Sequence, residues 1–184
     1  LEFRRVLFRS FTRAMPGWLG ERINTRGTLR EHLPGLRADC PILFTEHHEA
    51  HAASAFLPSP YDEAAILTVD GVGEWATTTL GHGRGAQVEL LSEVRFPHSL
   101  GLLYSAFTAY CGFRVNSGEY KLMGLAPYGS PIYADVIRER LIDIKPDGSF
   151  RLDMRYFDYA HGLHMTGRAF EQLFGGPEIG RAHV

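Results

Sequence analysis

Cysteine is scarce in this sequence, and the scarcity removes several classes of protein at once. Cys40 and Cys111 are the two cysteines among 184 residues, far apart and without CxxC spacing. Neither a disulfide framework nor a cysteine metal knuckle is therefore expected. Long apolar runs are missing too, since none approaches the roughly 20 residues a helix needs to span a bilayer. Nor does one charge dominate: 19 Lys and Arg stand against 21 Asp and Glu, a net −2. Such a balance offers no basic patch for nucleic acid or an anionic membrane surface. What is present, 45% hydrophobic and 22% charged residues, is ordinary for a globular domain in water. Cysteines left as thiols fit a reducing cytoplasm.

The two ends read differently from the middle. Codons open to Arg5–Ser10 can be written as the reverse complement of codons open to Ile179–Val184, which unrelated coding ends should not allow. The pattern resembles read-through of a sequencing-library adaptor. Residues 1–10 and 179–184 are accordingly set aside, and 11–178 is taken as the natural piece of a longer chain. Leaving out Arg5, Arg9 and Arg181 takes the net charge from −2 to −5.

Within that piece, residues 11–36 predict one or two short helices with a break near Asn24–Gly27. Pro41–Thr45 is a short apolar run that reads as a buried strand. The alanines after Glu46 favour a helix to Phe56, which Pro58 stops. Ala64–Asp70 reads as a second buried strand ending in a Gly71-Val72-Gly73 turn. Ala76–Gly81 and Val88–Phe96 then complete an antiparallel meander. Further helices are expected over Ser99–Cys111, Ile132–Leu141 and Met165–Phe174, with a Gly-bounded segment at Gly118–Gly129. A hairpin is expected at Ile144–Leu152 through Pro146-Asp147-Gly148. Mixed strands and helices of these lengths argue for an α/β domain, with α+β the alternative.

Two histidines carry the clearest chemistry. His47 and His51 stand four apart in the helical stretch, so their rings share one face about 5–6 Å apart. That separation suits two imidazoles converging on one divalent ion. Asp70 ends an otherwise apolar strand, where a buried carboxylate needs a partner. If the strands before His47 and before Gly71 ran parallel side by side, all three groups would meet. Imidazole suits zinc and iron, and the carboxylate widens the choice toward iron and manganese. A metalloprotease reading fails by counting, because His48-Glu49 is followed by Ala52 where the motif needs histidine. The plain alternative is two surface histidines on an alanine-rich helix, with Asp70 as a turn residue. The Gly71-Val72-Gly73 turn allows close approach of backbone N–H groups to a phosphate, as in actin-like ATPases. Lys121 stands in reach of an anionic substrate group, with Glu119 to position it; a solvated Glu–Lys pair is the plain reading.

His47–Ala55, Val69–Trp75 and Glu119–Gly129, in this order and spacing, resemble the NodU/CmcH-type O-carbamoyltransferases. A broader similarity links the histidine pair to hydrogenase-maturation carbamoyltransferases and tRNA threonylcarbamoyl transferases. The resemblance implies part of an actin-like ATPase domain with a mixed sheet and flanking helices. It implies that His47, His51 and Asp70 bind a divalent metal, iron first, with zinc or manganese possible and a further aspartate ligand downstream. It implies that Gly71, Val72, Gly73 and Lys121 lie against nucleotide. The implied reaction passes a carbamoyl group from carbamoyl-adenylate to a hydroxyl of a sugar or natural product. A C-terminal adenylate-forming domain would make that carbamoyl-adenylate from carbamoyl phosphate and ATP. Residues 11–178 alone are expected to bind metal weakly and show no turnover. The competing readings are a threonylcarbamoyl or hydrogenase-maturation relative, which Gly124–Gly129 disfavours, and a non-catalytic actin-like nucleotide-binding protein.

Overall fold

The computed structural model describes residues 23–176 and four positions before them. Both adaptor-like ends lie outside the described residues. The chain divides into two units, residues 1–45 with 161–163, and the remainder.

In the first unit, helix α1 (Thr25–His32) begins where the break was expected: the Asn24 side chain accepts from the Gly27 N–H and caps it. None of its residues is buried. Pro41–Thr45 is not a strand, contrary to expectation, and Leu43 and Phe44 stand exposed. An apolar run becomes a strand only when a neighbour takes its backbone hydrogen bonds, and no described strand pairs with this one. Phe44 instead sits under the Arg26 guanidinium, 5.3 Å from the ring centroid.

The second unit starts with helix α2 (His47–Phe56) and a meander of β1 (Glu63–Gly73), β2 (Ala76–Arg84) and β3 (Gln87–Arg95), in that spatial order and antiparallel throughout. Strand alternation sorts β1: Ile66 and Thr68 are buried on one face, while Leu67 and Val69 are exposed on the other. Helix α2 covers the first face with a stripe four residues apart, His48, Ala52 and Phe56. Ala52 and Phe56 close a small core with Ile66. The chain reverses at Glu74–Trp75, not at Gly71–Gly73 as expected. Pairing runs in step from Glu63↔Arg84 to Val69↔Thr78, then slips before Gly73↔Ala76. That irregularity carries Asp70, Gly71 and Val72 off the ladder.

Helix α3 (Leu100–Tyr110), capped by the Ser99 hydroxyl on the Leu102 N–H, packs beside β1. Helix α4 (Glu119–Leu125) comes next and tightens into a 3-10 turn, Ala126–Tyr128. The helix expected over Ile132–Leu141 is shorter, a helical turn Ala134–Val136 (α5) running into a π-helical turn, Ile137–Leu141. The expected hairpin forms from β4 (Ile142–Ile144) and β5 (Phe150–Leu152), and α6 spans Arg168–Phe174. A second, larger core gathers Ala106, Leu141, Ile142, Phe150, Leu152, Phe157 and Phe170. Phe170 stacks edge-on with Phe107 and Tyr110, at 5.0 and 5.3 Å between centroids. Among the described residues no helix is long and apolar enough to cross a membrane. The arrangement is a mixed α/β one whose described sheets are antiparallel.

Candidate metal centre

Two residues of α2 face away from its buried stripe. His47 and His51, one position out of phase with His48 and Ala52, project from the edge of the helix that overhangs the C-terminal end of β1. Asp70 meets them there. Its Oδ2 lies 2.5 Å from His47 Nε2 and 3.4 Å from His51 Nε2, and the two imidazole nitrogens are 2.9 Å apart. The triad expected from the sequence is thus brought together, by a route other than parallel strands: a helix laid across an antiparallel meander. Among the described residues this is the group of His, Cys, Asp and Glu whose ligand atoms all fall within 4.8 Å of one another.

Hydrogen bonding does not account for this convergence. An imidazole Nε2 carries either one proton or one lone pair, yet His47 Nε2 faces both a carboxylate oxygen and a second ring nitrogen at bonding distance. At most one of those contacts is a hydrogen bond. A cation satisfies all three donors at once, and donors held at 2.0–2.2 Å from one ion sit about 3 Å apart when at right angles. Two imidazoles and one carboxylate are a set that suits iron, zinc or manganese. The residues fit a divalent ion.

The carboxylate is pinned on its other side. Its Oδ1 accepts from the Gly71 N–H at 2.6 Å, leaving Oδ2 toward the histidines. Partial burial pushes the Asp70 carboxyl up, but the Gly71 amide and then the His47 and His51 rings outweigh it and hold the group below the usual carboxylate range. Asp70 is therefore anionic at neutral pH. Its backbone is held as well: the Ser99 hydroxyl donates to the Gly71 carbonyl at 2.7 Å, with the Asp70 carbonyl 3.1 Å away. A side chain at Gly101 would put Cβ 2.5 Å from that Asp70 oxygen, so the first turn of α3 rests directly on the peptide.

The glycines expected to face nucleotide have other work in this structure. A Cβ on Gly73 would fall 2.2 Å from His47 Cδ2 and 2.9 Å from His48 Cδ2, so its absence makes room for both rings. Gly71 supplies the amide just described, and Val72 is exposed. Lys121 is not tied to the triad. It lies exposed on α4, its ammonium 6.0 Å from the Tyr120 ring. Glu119 does not reach toward it either. Its carboxylate accepts from the Asn116 and Gly118 N–H groups and the Ser105 hydroxyl, and the Asn116 amide foremost lowers its pKa.

Sequence reasoning missed Ser99, Gly101 and His48 as parts of the site. Ser99 was visible as a helix start, but nothing in its spacing says which carbonyl its hydroxyl meets. A cleft of about 190 Å³ opens beside His47, with Trp75, Glu74 and the ion-paired Glu93 and Arg95 on its walls.

Comparison with known proteins identifies the family. The family model described as carbamoyltransferase N-terminus matches residues 2–183. The uncharacterized protein sll1178 of Synechocystis is 59% identical over 175 residues, covering 92% of this chain and 28% of that protein. Nodulation protein NolNO of Sinorhizobium fredii is 40% identical over 111 residues, 60% of this chain and 16% of the relative. Nodulation protein NolO of Bradyrhizobium diazoefficiens is 34% identical over 110 residues, 59% and 20% of the two chains. The chain thus spans less than a third of the length of each of these relatives. With nearly every residue inside the matched region, the chain belongs to the carbamoyltransferase family and carries its N-terminal part.

Proposed function

We propose that this chain is part of an ATP-dependent O-carbamoyltransferase built on an actin-like domain, with a divalent ion, iron first, held by His47, His51 and Asp70. The observation that carries the reading is the meeting of three metal-type donors within 4.8 Å in a chain of the carbamoyltransferase family. A divalent ion bound there supplies Lewis acidity to a phosphate or carbamoyl oxygen.

The chain's own residues do the holding. His47 and His51 present ring lone pairs, and Asp70 presents one anionic oxygen while the Gly71 amide fixes the other. One negative charge against a dication leaves the site net positive, suited to anionic phosphate oxygens. The cleft that His47 lines opens beside one of the three donors. In this reading Gly71, Val72, Gly73 and Lys121 face the nucleotide when the domain is complete. The donor is carbamoyl-adenylate, made from carbamoyl phosphate and ATP by a further, adenylate-forming domain, and the acceptor is a hydroxyl of a sugar or natural product. A cytoplasmic setting accompanies this reading, because both energy-rich substrates are made there.

The test uses the full-length protein and three variants, His47→Ala, His51→Ala and Asp70→Asn. Wild type is expected to carry about one ion per chain and to transfer carbamoyl from carbamoyl phosphate and ATP. Each variant is expected to lose most of both while keeping its circular dichroism. Unchanged metal content together with unchanged transfer would overturn the reading.

A further inference from the structure

The residue between the two ligands is the least exposed of the three histidines. His48 lies 3% exposed beside the triad, on the buried stripe of α2. Both of its ring nitrogens are bonded. Nε2 is 2.9 Å from the Ala76 carbonyl, Nδ1 is 2.5 Å from the Thr68 hydroxyl, and that hydroxyl is 2.7 Å from the hydroxyl of Thr79.

The direction of every bond in this chain is set by its far end. A carbonyl only accepts, so His48 Nε2–H is the donor to Ala76. In the neutral ring the Nδ1 nitrogen is then bare and accepts from Thr68. Having donated its single proton, the Thr68 oxygen accepts from Thr79. Thr68 and Thr79 are directly paired across β1 and β2 and are 7% and 2% exposed. A buried chain with each member satisfied in one sense admits one arrangement.

Its location gives it a purpose. Thr68 stands two residues before Asp70 on β1, and Ala76 is the partner of Gly73 across the turn. The ring thus joins the first turn of α2 to both strands that bracket the carboxylate. Glu46, at the cap position of that turn, makes no side-chain capping bond. Gly73 leaves the space in which the rings of His47 and His48 fit side by side. The bonded ring of His48 lies on the same buried stripe of the helix as Ala52 and Phe56.

We propose that His48 is a positioning residue for the metal centre. Held by the Thr68–Thr79 hydroxyls and the Ala76 carbonyl, it fixes the rotation of α2 that aims His47 and His51 at Asp70. The inference rests on the metal reading of the triad.

The experiment titrates the full-length protein with Co²⁺ alone and records affinity and the visible d–d bands, which report ligand geometry. Three variants grade the relay. His48→Phe keeps a flat ring and removes both bonds. Thr68→Val keeps the shape and removes the donor to Nδ1. His48→Asn sets an amide oxygen near the place of Nδ1, where it accepts from Thr68. Expected are a loss of Co²⁺ affinity of about 10–100-fold with altered bands for His48→Phe, a smaller loss for Thr68→Val, and partial recovery for His48→Asn. If His48→Phe does not fold, the other two variants decide. A purely structural role lowers the melting temperature but leaves the bands and affinity of the folded protein as in wild type; that result overturns the proposal while the triad stands. If wild type binds no Co²⁺, or binds it equally well as His47→Ala, the metal reading fails and this inference with it.

Discussion

The second unit is held in two different ways. Around α2 and the meander most of the buried groups are small or polar, Ala52, His48, Thr68 and Thr79 among them, with Ile66 and Phe56 the large apolar side chains of that core. Around α3, α6 and the β4–β5 hairpin they are large and apolar, with Phe157, Phe170 and Leu141 fully enclosed. Apolar burial is strong and tolerant of orientation, since its energy scales with area. Hydrogen bonds add less net stability but fix angles. The region where two imidazoles meet a carboxylate is the one richer in directional contacts, and the other is built from apolar area.

The largest effect that would break this contrast is expected in the apolar region. Phe170→Ala should cost about 3–5 kcal/mol of stability from the lost transfer energy and the cavity left behind. Denaturant unfolding measures it, and metal bound by the fraction still folded should be unchanged. A ligand-field change on cutting Phe170 would show the two regions coupled, and the contrast false. Gly73→Ala comes next and should behave in the opposite way. The added Cβ would overlap His47 Cδ2, so the ring must leave its place, at a cost of about 1–3 kcal/mol as for other overpacked sites. Metal analysis should show most of the ion gone from a protein that still folds. Retention of the metal at wild-type affinity would mean that His47 has slack the geometry denies.

The smallest effect sharpens the boundary between the two. His98 sits between the regions: its Nδ1 accepts from the Leu152 N–H, and its carbonyl accepts from the Thr77 hydroxyl. Partial burial, then the charge of Arg151, lower its pKa from the ordinary value. The folded state therefore binds this proton less readily than the unfolded chain. Its contribution is complete above about pH 6.5, the unfolded value, and is lost as pH falls through the lower folded value. The denaturant midpoint should drop as pH falls below about 6.5, and that of His98→Asn, whose amide oxygen still accepts, should drop less. Equal slopes would remove His98 from the account.

How much of this was legible in the sequence depended on the range of the interaction. The pairing of His47 with His51 was legible because four residues on a helix is a property of the backbone alone. The meander was legible because alternation and glycine-rich turns are local as well. The run Pro41–Thr45 was not, since an apolar stretch cannot announce whether a partner strand exists. The turn expected at Gly71–Gly73 fell instead at Glu74–Trp75, because Gly73 is required for the packing of two rings from another element, which no local pattern reveals. Asp70 was found for a reason only partly right. Its position at the end of an apolar strand did mark it, but the strand is antiparallel to its neighbour and the histidines arrive on a helix lying across it. His48 was passed over although the stripe His48, Ala52 and Phe56 was there to be read. A histidine beside two better-spaced histidines looks redundant until its burial is known.

The short stretch of chain between the ligands has a bearing on when the centre comes into being. His47 and Asp70 are 23 positions apart, and the relay of Thr68, Thr79 and Ala76 adds one hairpin. Closing loops of that size is fast and entropically modest. During synthesis, α2 and the first two strands leave the ribosome well before Phe157 or Phe170 is translated. The three side chains can thus come together on a nascent chain whose apolar core does not yet exist.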